Sequence, residues 1–196
     1  MKIPAFTKLP VLFVAAVAII EMFNGGHYTQ RIISGGIQQP VAVLADSTIN
    51  APVVGFSPGG RASDIVLSAI RGAKSSIDIA AFSFTSKPIA QALIQAAHRG
   101  VQVRVVADKS QAFERYSITP LLKKEGVAIR VNDKYSQMHD KFMVIDSGSV
   151  QTGSFNYTAN AAYHNAENVI LLKNAPKLAE AFSREFERLY GESEAF

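Results

Sequence analysis

From residue 53 onward the chain alternates between two hydrophobic periodicities. Short runs rich in Val, Ile and Phe read as strands over residues 52–57, 76–84, 101–107, 127–131, 140–146, 149–154 and 167–173. Between them, apolar residues recur at three- and four-residue spacing over 60–74, 86–99, 114–125 and 176–190, as in helices that bury one face. Leu178, Ala181, Phe182, Phe186 and Leu189 form such a stripe in the last of these. Pro88 and Pro176 stand near helix starts, where a missing N–H costs least, and Gly100 and Gly126 follow helices, where a left-handed residue is preferred. The order strand–helix–strand–helix–strand predicts an α/β fold, a mixed β-sheet flanked by helices.

Residues 1–51 break this pattern. Lys2 and Lys8 precede twelve apolar residues, Leu9 to Ile20, and Glu21 closes the run. Twelve residues fall short of the roughly 20 that span a bilayer as a helix, but they match the apolar region of a signal peptide. No small-x-small site follows closely, and Val43-Leu44-Ala45 lies well downstream, so residues 1–20 read as a signal peptide or a retained membrane anchor. Residues 21–51 carry Gly25-Gly26, Gly35-Gly36 and Gln38-Gln39-Pro40 and read as a flexible linker. Residues 52–196 then form the main domain, expected to carry whatever activity the chain has and to be exported.

Composition narrows the chemistry. A chain of 196 residues with 48% hydrophobic content can bury a full core. It has no cysteine, which excludes disulfides, thiolate zinc sites and a lipoprotein anchor. The four histidines are scattered and no carboxylate cluster has metal-ligand spacing, so neither a metal nor another cofactor is expected. Net charge is +4, unevenly placed: residues 99–141 hold nine Lys/Arg against five Asp/Glu, and residues 167–196 hold four against six. The basic excess leads up to the candidate site, which suits a polyanionic substrate.

That site begins at Met138-His139-Asp140-Lys141. Side chains two residues apart share a strand face, so His139 and Lys141 point one way while Phe142 and Val144 point the other. An imidazole beside an ammonium is equipped for attack on a phosphodiester: the ring takes the phosphorus covalently and the lysine holds a non-bridging oxygen. Gly153-Ser154-Phe155-Asn156 then offers a hydroxyl and an amide for phosphate oxygens. Glu167, opening a further apolar strand, is placed to accept the other ring N–H of His139. Asp146 differs in parity from His139 and reads as an orienting or structural carboxylate of the catalytic motif, not as a proton donor.

His139-x-Lys141-x4-Asp146, followed by Ser154-x-Asn156 and Glu167, resembles the phospholipase D superfamily, the HKD enzymes, over roughly residues 53–190. The likeness is to its small single-motif periplasmic endonucleases of conjugative plasmids. The resemblance implies an α-β-α sandwich and a metal-independent transfer through a phosphohistidine. His139 is then the nucleophile, Lys141, Ser154 and Asn156 bind phosphate, and Glu167 supports the histidine. The family builds its site from two such motifs; His27, His98 and His164 have no lysine two residues on, so a homodimer joining two His139 residues is implied. The expected activity is non-specific cleavage of DNA, with RNA as a further substrate, in the periplasm or anchored to the inner membrane facing it through residues 9–20. The alternative within the superfamily is a phospholipase D or phosphatidyl transferase acting on lipid headgroups.

Other positions invite weaker readings. Gly59-Gly60-Arg61 reads as a turn before a helix in preference to a phosphate cradle. Asp108-Lys109 stands at a strand's carboxyl end, where ligands of α/β folds bind. Asp64 and Asp78 read as surface or capping groups. Tyr157 and Tyr163 line either a substrate groove or the core.

Overall fold

The computed structural model describes residues 50–196, so the expected signal or anchor segment and nearly all of the expected linker lie outside the described residues. Among the described residues no helix is long and apolar enough to cross a membrane. In chain order the elements are β1 (Val53–Ser57), α1 (Arg61–Gly72), β2 (Ser76–Ala81), α2 (Lys87–His98), β3 (Gln102–Asp108), α3 (Lys109–Ala112) and α4 (Thr119–Lys124). There follow β4 (Ala128–Asn132), β5 (Lys141–Ile145), β6 (Ser149–Gly153), α5 (Ala159–Tyr163), β7 (Glu167–Leu172), α6 (Pro176–Gly191) and β8 (Glu194–Ala195). The strands make one open sheet in the order β1-β7-β6-β5-β2-β3-β4-β8. β2, β3 and β4 are parallel, as helical crossovers require, and the other neighbours are antiparallel.

Helices cover both faces. On one, α1 buries Ala62, Ile65, Val66, Ala69 and Ile70, and α2 buries Ile89, Ala90, Ala92, Leu93 and Ala96 against Ile77, Ile79, Val105, Met143 and Val169. On the other, α6 alone lays Ala179, Phe186 and Leu189 over Ala80, Val106, Phe142, Val144 and Val150. Phe186 is fully buried there, and truncating such a ring to alanine costs about 3–5 kcal/mol. β5 lies at the centre with all five residues buried, because both of its faces are covered. Its alternation survives underneath: Met143 and Ile145 join the first cluster, Phe142 and Val144 the second.

Three expectations are corrected. The helix expected over 114–125 is shortened to Thr119–Lys124, because Pro120 favours a start at Thr119 and residues 113–116 form an exposed loop. Asp78 is not a surface group: it is buried on β2 and receives Arg104 Nε at 2.7 Å and Nη2 at 2.9 Å from the register-matched position of β3. The bond to Asp78, followed by one to Glu187, holds the Arg104 guanidinium above its ordinary range. The strand expected to run to 84 ends at Ala81, with Phe84 bridged instead to Tyr157.

Gly153 closes β6 at φ 149°, and a Cβ there would stand 2.2 Å from the Asn168 carbonyl oxygen of β7. Gly153→Ala is expected to cost about 2–3 kcal/mol and lower the melting temperature by roughly 5–10 °C. Thermal unfolding followed by circular dichroism checks this, and an unchanged midpoint would show that β6 and β7 can separate freely.

Candidate active site

The site gathers at one edge of the sheet, where β1 and β6 end and β5 and β7 begin. His139 sits just before β5, exposed, on a stretch without regular structure. Its flanks are fixed. Met138 is buried under α6 and its N–H donates to Asp108 Oδ2 at 2.9 Å, while the Asp140 carbonyl accepts from Phe82 N at 3.1 Å. The Phe82 ring lies 4.4 Å from the imidazole, centroid to centroid, and 5.3 Å from the Lys141 ammonium. Sequence reasoning missed Phe82, which lies beyond the end of β2, where no spacing rule reaches.

Lys141, the first residue of β5, is only 8% exposed. Its Nζ donates to the His139 carbonyl at 2.6 Å and lies 3.0 Å from His139 Nδ1. Burial pushes the Lys141 ammonium below the ordinary lysine range, with Asp140 and Glu167 drawing it back. An ammonium has only protons to offer, so Nδ1 accepts and Nε2 carries the ring proton while the pair is joined. A phosphate oxygen that took over Nζ would release Nδ1.

Ser154 and Glu167 meet beside them. Ser154 Oγ donates to Glu167 Oε2 at 2.5 Å and accepts from Asn168 N at 3.1 Å. Glu167 Oε1 accepts from Asn165 Nδ2 at 3.0 Å, and the Asn165 carbonyl accepts from buried Ser57 Oγ at 3.1 Å. Both carboxylate oxygens are therefore engaged by Ser154 and Asn165, and within the chain Glu167 makes no hydrogen bond to His139 as had been expected. Asn156 Oδ1 is buried without a hydrogen-bond partner among the described residues. A recess of about 440 Å³, lined by His139, Asp140, Lys141, Thr152, Phe182 and Glu185, adjoins the cluster on the α6 side. Burial, then the charge of Glu185, raises the Asp140 carboxyl there.

The structure separates one expected site residue from the rest. Asp146 stands at the other end of β5, roughly 16 Å along the strand from Lys141 at about 3.3 Å per residue. Its carboxylate accepts from Lys74 N at 2.9 Å, Ser75 N at 2.7 Å, Ser75 Oγ at 2.9 Å and Ser76 N at 3.0 Å, tying down the turn between α1 and β2. Burial alone would raise this carboxyl, but the backbone N–H groups of Ser75, Ser76 and Lys74 hold it below the ordinary range. Tyr157 is fully buried, with its hydroxyl donating to Gln151 Oε1 at 2.9 Å, so it belongs to the core, and of this pair Tyr163 is the exposed one. Gly60, at φ 85°, makes a turn into α1. Among the described residues no group of three or more His, Asp or Glu side chains is placed to hold a metal ion.

A mixed sheet between helices, with a histidine–lysine pair at the head of its central strand, matches the family described as "Cardiolipin synthase, PLD-like domain" over residues 66–190. The chain belongs to this phospholipase D-like family. Human mitochondrial cardiolipin hydrolase is 33% identical over 154 residues, covering 79% of this chain and 60% of that protein. The phospholipase D of Rickettsia bellii is 34% identical over 186 residues, 90% of each chain. The chain spans between 51% and 60% of the length of the mitochondrial cardiolipin hydrolases from Chlamydomonas reinhardtii, human and Xenopus laevis. The crystal structure of Nuc, a phospholipase D family member from Salmonella typhimurium, is 38% identical with a TM-score of 0.73, covering 74% of this chain and 97% of that one. NucT from Helicobacter pylori shares the fold at 22% identity and a TM-score of 0.70.

Asp146→Ala is expected to destabilise the domain by about 1–2 kcal/mol after allowance for partial solvent screening, while activity per folded molecule is retained. Because the folded carboxyl is depressed, its contribution is present above the unfolded value near pH 4 and fades as pH falls through the lower folded value. Denaturant titrations of both proteins at neutral pH and below pH 3 check this; a gap that stays constant would refute it. For Lys141 the alkaline limb of kcat/KM is expected below the ordinary lysine value of about 10.4, and the limb of kcat at higher pH, since bound phosphate favours the ammonium. Coincident limbs in the two profiles would show that Lys141 does not meet the phosphate.

Proposed function

We propose that the protein is a metal-independent phosphodiesterase that cleaves nucleic acid internally, DNA first and RNA as a further substrate. The phosphodiesterase class follows from the family, and the nucleic-acid substrate is proposed from the geometry of the site. The observation that carries it is the position of the His139–Lys141 pair at an exposed sheet edge that a continuous polymer strand can reach, beside a recess that is open, not a closed acyl-chain cavity. Similarity to Nuc over nearly all of that chain supports it. His139 attacks phosphorus, Lys141 with Ser154 and Asn156 holds the non-bridging oxygens, and the His139 of a second copy protonates the leaving oxygen. Water activated by that second histidine then hydrolyses the phosphohistidine. Attack needs a neutral histidine and protonation of the leaving oxygen needs a charged one, so rate against pH is bell-shaped. Export to the periplasm, with residues 9–20 as signal or anchor, belongs to the same reading.

A second reading has its own support. The names of this chain's relatives, phospholipase D and mitochondrial cardiolipin hydrolase, favour a lipid phosphodiester as the substrate. Residues 46–196, wild type beside His139→Ala, are to be assayed in excess EDTA on supercoiled plasmid and on cardiolipin vesicles, with mass by light scattering. The expected outcome is plasmid nicking by a dimer, reduced at least 1,000-fold by the substitution. Lipid turnover with intact plasmid moves the protein to the second reading, and activity of a monomer refutes the shared site.

A further inference from the structure

The geometry points to Asp108 as a positioning residue that fixes the nucleophile from outside the motif; this rests on the reading of His139 as nucleophile. Asp108 ends β3 and is 4% exposed, yet none of its hydrogen bonds comes from a lysine or arginine. A buried carboxylate held only by neutral donors is costly unless each oxygen is well used. Oδ1 accepts from Gln111 N at 3.1 Å and Ser110 Oγ at 2.6 Å, capping α3. Serine, threonine or asparagine would cap that helix equally well with one oxygen. What needs the second oxygen is Met138 N, 30 residues on, which donates to Oδ2 at 2.9 Å.

That bond is made at the residue before His139, in a stretch without strand pairing. On the other side, Asp140 is held through its carbonyl by Phe82 N. The imidazole thus hangs from a backbone pinned one residue before and one residue after it, with the Phe82 ring against its face. Asp108 supplies the first pin and the Met138 side chain, buried under α6, gives it a rigid base. Without it the ring remains but its angle to phosphorus is no longer set. Attack depends steeply on that angle, and a displacement near 1 Å costs about 100-fold.

The test uses bis(4-nitrophenyl) phosphate, whose leaving group needs no protonation, so that the rate reads attack by the histidine. Full-length wild type, His139→Ala, Asp108→Asn, Asp108→Ala and Ser110→Ala are compared well below their melting temperatures. The expected result is a kcat reduced about 10- to 100-fold in Asp108→Asn and more in Asp108→Ala, with KM within twofold of wild type. Ser110→Ala, which loses a bond to the cap and keeps the one to Met138, retains wild-type kcat. If Asp108→Ala does not fold, the isosteric Asp108→Asn decides. Wild-type kcat in Asp108→Asn, a loss confined to KM, or an equal loss in Ser110→Ala overturns the inference. Wild-type turnover by His139→Ala overturns instead the nucleophile reading on which it rests.

Discussion

An ammonium group buried at the first residue of a central strand sets the terms for the rest of the structure. Lys141 has β6 on one side and β2 on the other, and both faces of β5 are covered by helices. Burial disfavours its charge, and its direct partners are the neutral carbonyl and ring nitrogen of His139. A cation held in this way has an unmet preference for an anion, which is what a phosphate-binding site requires before substrate arrives. The same contacts fold His139 back onto the lysine although the histidine lies outside the strand. The hydrophobic layers therefore do more than stabilise the domain, since they create the low-polarity setting on which the proposed phosphate-binding role of Lys141 depends.

The parts legible in the sequence are those that strand and helix periodicity encode. β5, β6 and β7 fall within a residue or two of expectation, and with them the edge that brings Lys141, Ser154 and Glu167 together. What escaped depends on contacts between distant segments. Asp146 keeps the spacing of the motif, but spacing along a strand cannot tell which end of the sheet a side chain serves, and its partners are backbone groups about 70 residues earlier. Asp78 looks like a surface charge because its partner, Arg104, is brought to it by parallel register. Glu167 has the right strand for a partner of His139, yet Asn165, two residues before it, and Ser154 occupy its oxygens first. Local competition of that kind has no periodic signature.

The basic excess of residues 99–141 is also altered by folding. Lys109 lies 2.6 Å from Asp133 and 3.2 Å from Glu194, Lys134 lies 2.6 Å from Glu192, and Arg104 lies 2.7 Å from Glu187. The acidic C-terminal segment thus folds back over part of the basic stretch. Such exposed pairs contribute little to stability, but they reduce the positive field that a polyanion meets. Under the proposed function, recognition of the substrate would then fall more heavily on the buried Lys141 and less on long-range attraction. That balance suits a site selecting a phosphodiester as a chemical group without reading what is attached to it.

The remaining step concerns the proton. A histidine nitrogen that bonds to phosphorus cannot in the same step protonate the departing oxygen, so a second acid is required. His98 pairs with Glu125 at 3.8 Å where α2 ends, by the start of β3, whereas the site lies at the edge where β3 finishes. His164 is exposed at the end of α5, and its ring makes no hydrogen bond or ion pair within the described residues. Glu167 is already bound on both oxygens, and Asp146 is at the far end of β5. Among the described residues one imidazole stands at this exposed edge, and the remaining carboxyls of the adjoining recess, Asp140 and Glu185, lie on the α6 side without a second imidazole opposite. A two-fold axis through that edge supplies one without any new residue, and this favours the proposed dimer over a monomeric site.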